Sequence, residues 1–133
     1  MSRKNILIKE VISTKNSPEA IGTYSQGIRI GNLVYTSGQI PLDPQTGNLI
    51  SGNIKAEIRQ VLDNLDAVLK GGGSSLHSTV KLSVFLTDLD YFSDLNIVFN
   101  EYFPEKPPAR SAVQVSALPM GVRIEIEAVG IIE

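Results

Sequence analysis

From Pro107 to Glu127 the chain writes two short alternating runs with a break between them, and this stretch limits the possible folds more than any other. In the first run Ser111, Val113 and Val115 alternate with Arg110, Ala112 and Gln114. In the second, Val122, Ile124, Ile126 and Ala128 alternate with Arg123, Glu125 and Glu127. Side chains along a strand point to opposite faces in turn, so a period of two predicts two strands, each with an apolar and a polar face. Pro107 and Pro108 keep the backbone extended ahead of Arg110, and Leu118-Pro119-Met120-Gly121 separates the runs as a turn. Arg110 is thus expected at the rim of a strand. Its planar guanidinium matches a carboxylate or phosphate in a bidentate pair. An ion pair with Glu125 or Glu127 across the sheet fits the same residues. In a simple hairpin Glu125 stands opposite residue 114 or so, about four residues and ~13 Å from Arg110. A bulge, another strand arrangement or a second chain is needed to bring the two onto one small ligand.

The rest of the chain supplies helices and further strands. Ile58, Val61, Leu62, Leu65, Val68 and Leu69 recur at spacings of three and four, predicting a helix over 54–70 introduced by Ser51-Gly52-Asn53, with Lys55, Glu57, Arg59, Asn64 and Asp66 mostly turned away from the apolar stripe. Gly71-Gly72-Gly73 follows that helix instead of preceding one, so it reads as a stop and not as a phosphate loop. A strand is expected over 79–87, with Val80, Leu82, Val84 and Leu86 on its buried face. Phe92, Leu95, Phe99 and Phe103 predict a second helix between Asp88 and Phe103, ended by Pro104. Gly31-Asn32 reads as the two-residue turn of a hairpin over 27–37. Residues 6–12 read as a short edge strand, and 41–48, with two prolines and a glycine, as a surface turn.

A chain of 133 residues suits a single domain spanning 1–133, and no repeat or linker divides it. Charged residues make up 20% and the net charge is −2, which gives no electrostatic footprint for nucleic acid. Cysteine is absent, so disulfides, thiolate metal sites and thiol nucleophiles are excluded. The one histidine, His77, lies in a small polar loop without a visible partner. It does not suggest a Ser-His-Asp triad, and one imidazole cannot build a histidine-rich metal site. With no apolar stretch long enough for a membrane span or signal peptide, the expectation is a cytoplasmic protein with no membrane partner.

The order of elements predicts an α+β domain in which both helices cover one face of a mixed or antiparallel sheet. The other face is expected to carry Lys81, Ser83, Phe85, Arg110, Ala112, Gln114, Glu125, Val129 and Ile131. That mixture is too apolar for open water and too charged for a core, so it asks for a partner subunit.

Ala109-Arg110-Ser111, followed at this interval by Ile124-Glu125-Ile126, resembles the C-terminal signature of the Rid family, the reactive intermediate deaminases. Residues 20–27, Ala-Ile-Gly-Thr-Tyr-Ser-Gln-Gly, resemble its first motif and 36–41, Thr-Ser-Gly-Gln-Ile-Pro, its second, while Asn96 matches a further family position. The archetypal branch usually has Pro in place of Thr23 and Cys in place of Ala112. The resemblance implies a chorismate-mutase-like fold, a homotrimer with clefts between subunits, and hydrolysis of 2-imino acids such as 2-iminopropanoate and 2-iminobutanoate to 2-keto acids and ammonia. It implies that Arg110 holds the substrate carboxylate and Glu125 orients or deprotonates the attacking water. Tyr24, Ser37, Asn96 and Ala112 would shape the pocket. No metal or cofactor is expected, because a protonated imine is already electrophilic. A regulatory trimer that binds such metabolites without converting them is the alternative.

Overall fold

The computed structural model describes residues 7–133. Six strands form one sheet in the order β1-β2-β3-β6-β4-β5: β1 (Glu10–Ile12), β2 (Gly27–Ile30), β3 (Leu33–Thr36), β4 (Thr79–Leu86), β5 (Ala109–Gln114) and β6 (Ile124–Ile131). All neighbours run antiparallel except β4 and β5, which are parallel. Two helices, α1 (Ile54–Gly71) and α2 (Phe92–Tyr102), pack on one face, so the protein is a mixed α+β fold.

Local chemistry explains the helix limits. The Asn53 side chain accepts hydrogen bonds from the Lys55 and Ala56 amides at 2.9 and 3.3 Å, satisfying donors that the first turn of α1 leaves open. Gly72 closes its other end, donating to the Leu69 carbonyl at 3.0 Å. Ile58, Val61, Leu62, Leu65, Val68 and Leu69 are all fully buried against Val34, Leu82, Val84, Ile124 and Ile126 of the sheet. Two polar residues share that buried side, against expectation. Glu57 is covered because Arg123 pairs with it, and Asn64 because its amide donates to the Ile40 and Leu42 carbonyls at 3.2 and 2.9 Å. Polar groups enter a core when their hydrogen bonds are met there.

Between β2 and β3, Gly31 takes a φ of 57°, which a glycine adopts without steric cost, and the hairpin closes at Gly31-Asn32. The first strand is shorter than expected, starting at Glu10, and Ile6 lies outside the described residues. Val80 departs from the alternation of β4. Thr79 opposes Gly130 while Lys81 opposes Val129, so Val80 is the extra residue of a bulge and is exposed instead of buried.

The largest departure concerns Pro107 to Glu127. The two runs are strands, and Pro119–Gly121 forms a 3₁₀ turn between them, but they do not form a hairpin. Strand β4 lies between β5 and β6 and pairs with both. Leu82 opposes Arg110 on one side and Ala128 on the other, while Phe85 opposes Val113 and Glu125. Because Leu82 is in the core, Arg110, Ala112 and Gln114 point to the helix side, and they leave the open face assigned to them from sequence. Lys81, Ser83, Phe85, Glu125 and Val129 remain on that open face, together with Ser111 and Val113.

Candidate functional site

Arg110 enters at the start of the edge strand β5 and lies across α2. Its guanidinium carbon is 5.1 Å from the ring centre of Phe92 and 5.2 Å from that of Phe99. Both rings are thus within cation–π range of the guanidinium. Asn96, between them on the same helix, accepts a hydrogen bond from Arg110 Nη1 at 2.9 Å. Aromatic faces attract the cation without using its N–H groups. Among the described residues the ion pairs are Arg59–Glu101, Lys70–Asp66 and Arg123–Glu57, so Arg110 has no carboxylate partner. A cross-sheet ion pair with Glu125 or Glu127 is not formed, since those residues lie on the other face. Arg110, Asn96, Phe99 and Phe103 line a cleft of about 430 Å³ closed by Pro107 and Pro108.

Glu125 lies in a different cleft, of about 530 Å³, on the open face. A second irregularity builds it. Tyr35 opposes Val129, but Gln39 opposes Ile126, bonded through both backbone groups at 2.8 and 3.1 Å, so one extra residue is taken up between Thr36 and Gln39. Gly38 falls in that bulge directly against the Glu125 side chain, where a methyl group would collide with the carboxyl. The Ser37 hydroxyl donates to the Ser25 carbonyl at 2.6 Å, and its amide donates to the Gln26 carbonyl at 2.9 Å, fixing the approach to the bulge. Burial, and then the charge of nearby Glu127, raise the Glu125 pKa above the usual carboxylate value. A carboxylate held in this way is a better proton acceptor than one in open water.

The residues singled out from sequence therefore fall into two groups. Tyr24, Ser37 and Glu125 line the larger cleft, while Asn96 and Arg110 line the smaller one. Ala112 opposes Val84 and packs against the core, outside the lining of either cleft. Glu125 and Arg110 are two strands and three residues apart, about 14 Å at ordinary sheet spacings, with side chains on opposite faces. Phe92 and Phe99 read from sequence only as a packing stripe. Their second role was visible in one respect, the i, i+4, i+7 spacing of Phe92, Asn96 and Phe99 that sets all three on one helix side. Ile40, Leu42, Pro119 and Met120, which wall the larger cleft, carried no such signal.

Among the described residues, no group of three or more acidic or histidine side chains is arranged to hold a metal ion, and no helix is long and apolar enough to cross a membrane.

One mixed sheet with two helices on a single face, an arginine without a carboxylate partner and a carboxyl tucked against a glycine bulge together define an α+β protein of known architecture. Residues 14–132 match the family described as Endoribonuclease L-PSP. A RutC family protein of Pyrococcus horikoshii is 51% identical over 92% of this chain and 97% of its own length. The human 2-iminobutanoate/2-iminopropanoate deaminase is 46% identical over 94% of this chain and 91% of its own. Among solved structures, the Rid-family protein YyfA of Yersinia pestis superposes with a TM-score of 0.91 at 45% identity, covering 94% of this chain and all of that one. Escherichia coli TdcF with bound serine superposes with a TM-score of 0.89 at 39% identity, covering 93% and 99%. The chain belongs to the Rid family, also called RutC or YjgF-like.

Proposed function

We propose that the protein is a 2-imino acid deaminase acting as a homotrimer of single-domain chains, with each site shared between two chains. The observation that carries this reading is the state of Arg110, whose guanidinium is oriented by two rings and an amide and has no carboxylate partner among the described residues. An orientation prepared in advance, with donors to spare, suits a ligand carboxylate. The split geometry supports the shared site: the open face mixes apolar Phe85, Val113 and Val129 with charged Glu125 and Lys81. A neighbouring chain seated there could bring its Arg110 to this chain's Glu125. The human relative's name supplies the substrate class.

In this reaction the neighbour's Arg110 holds the carboxylate of the protonated imine in a bidentate pair. Water adds to the imine carbon while Glu125 takes one of its protons, giving a carbinolamine. The proton passes to nitrogen, ammonia leaves, and the carbonyl of the 2-keto acid forms. Tyr24 and Ser37, which line the cleft, shape the pocket around the imine. All the atoms come from imino acid and water.

The nuclease name attached to the family finds little support in this chain, which has a net charge of −2 and two arginines, Arg59 and Arg123, engaged by glutamates. A second reading, a trimer that binds a small carboxylate without converting it, is favoured by the serine bound to TdcF. One experiment separates the readings. Imines of alanine and 2-aminobutyrate are generated in situ with an amino-acid oxidase and catalase, and keto-acid release is followed with and without the protein. Acceleration is the deaminase result. Binding of 2-ketobutyrate with no acceleration is the regulatory one.

A further inference from the structure

Met120 has a backbone φ of 58° and ψ of 19°, the left-handed conformation that a residue with a Cβ avoids and glycine accepts. It is also 58% exposed and lies outside the buried core, so packing within the chain does not explain why a long apolar side chain occupies a strained turn. What the conformation does is set Met120 on the wall of the Glu125 cleft. Ile21, 76% exposed, lines the same cleft. Ile40, Leu42, Pro119 and the Tyr24 ring complete an apolar lining around the carboxyl. Strain retained at a cleft is a pointer to function.

We infer that Met120 makes this cleft selective for 2-imino acids whose side chain is apolar and longer than ethyl, an inference that rests on the deaminase reading above. The cleft has a volume of about 530 Å³ in one chain. 2-Iminopropanoate has only six heavy atoms and reaches little of the apolar wall, even where the neighbour's Arg110 takes up part of that space. A propyl, isobutyl or larger group displaces water from Ile40, Leu42 and Pro119. The unbranched, flexible thioether of Met120 closes over chains of different shape. Glu125 and Glu127, at the polar end, stay beside the imine nitrogen and the attacking water.

The test uses the whole protein and two readouts. Calorimetry compares 2-ketobutyrate, 2-ketovalerate, 2-ketohexanoate and 4-methyl-2-oxopentanoate, and the oxidase-coupled assay compares the imines of the matching amino acids. Affinity and kcat/KM are expected to rise roughly threefold to fivefold per added methylene. Met120→Leu keeps that gradient, and Met120→Gly, which also relieves the turn, compresses the ratio between longest and shortest ligand to less than about twofold. A flat series in the parent protein overturns the inference, and so does a steep series that survives in Met120→Gly. Light scattering runs alongside: loss of assembly in Met120→Gly together with loss of all binding assigns the residue to subunit contact and also overturns it. The two readings fail separately. A keto-acid gradient with no imine turnover keeps the selectivity and ends the deaminase proposal, while turnover confined to the shortest imines does the reverse.

Discussion

Arg110 and Glu125 lie on opposite faces of the same sheet, separated by β4, so no single chain can set both against one small molecule. The first prediction follows directly. Arg110→Ala and Glu125→Gln should each abolish imine hydrolysis when pure. Unfolded together in equal amounts and refolded, they should recover activity, because random assembly of a ring leaves about a quarter of the sites with both native residues. The coupled assay on the refolded mixture checks this, and a mixture as inactive as its components would rule out a shared site.

The raised pKa of Glu125 sets a pH dependence with a definite sign. Its folded value lies above the unfolded one, so the protonated form is favoured by folding. The stability it contributes is fully present below the unfolded value and is lost as pH rises through the folded value. At pH 7 Glu125→Gln should therefore melt higher than the parent, although it hydrolyses no imine. Melting curves from pH 4 to 8 should converge at the acid end. In the parent, kcat/KM should fall on the acid side with an apparent pKa above the ordinary glutamate value, and Glu127→Gln should move that limb to lower pH.

For Arg110, lysine is the informative replacement. It keeps the charge but loses the planar fork and the flat contact with Phe92 and Phe99. Losing one charge-assisted hydrogen bond to a ligand carboxylate corresponds to ~1.5–3 kcal/mol, so 2-ketobutyrate affinity should fall roughly ten- to a hundredfold by calorimetry. The melting temperature should change little. A large drop in stability with unchanged ligand affinity would leave Arg110 a purely structural residue.

Gly38 tests the bulge. Gly38→Ala puts a methyl group against the Glu125 carboxyl, the far end of a flexible side chain that swings aside, so the loss of stability should be at most about 1 kcal/mol. Denaturant unfolding should register that loss, and turnover should fall further than stability alone explains, because the carboxyl is moved from its position in the cleft.

Assembly is checked by charge. Val129 lies on the open face beside Tyr35 and Lys81. Val129→Asp should dissociate the proposed trimer, leaving by light scattering the 14.4 kDa mass of one chain.

How much of this was legible in the sequence depended on whether the information was local. Helix α1 could be read closely, because its stripe, its Asn53 cap and its glycine stop all lie within one short segment. The hairpin at Gly31 was legible for the same reason. The neighbour of β5 was not, because strand order is decided by contacts between distant segments, and an edge strand in which Ala112 and Val113 are equally plausible inward residues does not announce its face. Reading Arg110 onto Glu125's face followed from assuming the shortest connection between two adjacent runs. Glu57 and Asn64 looked like solvated helix residues since their partners, Arg123 and the Ile40 and Leu42 carbonyls, are far away in the chain. Arg110, Asn96, Glu125, Tyr24 and Ser37 were named through family resemblance, but their division between two clefts had no counterpart in any linear motif.

The crossover from β4 to β5 passes through α2, the helix that carries Phe92, Asn96 and Phe99. Each residue inserted into an α-helix turns everything beyond it by about 100°. A single insertion between Phe92 and Phe99 would swing one ring off the guanidinium while leaving a helix that still spans the connection. The length of this segment is therefore held to a whole-turn count by the arginine it cradles, and natural or engineered variants should tolerate lengthening in the loops flanking α2 but not within those two turns.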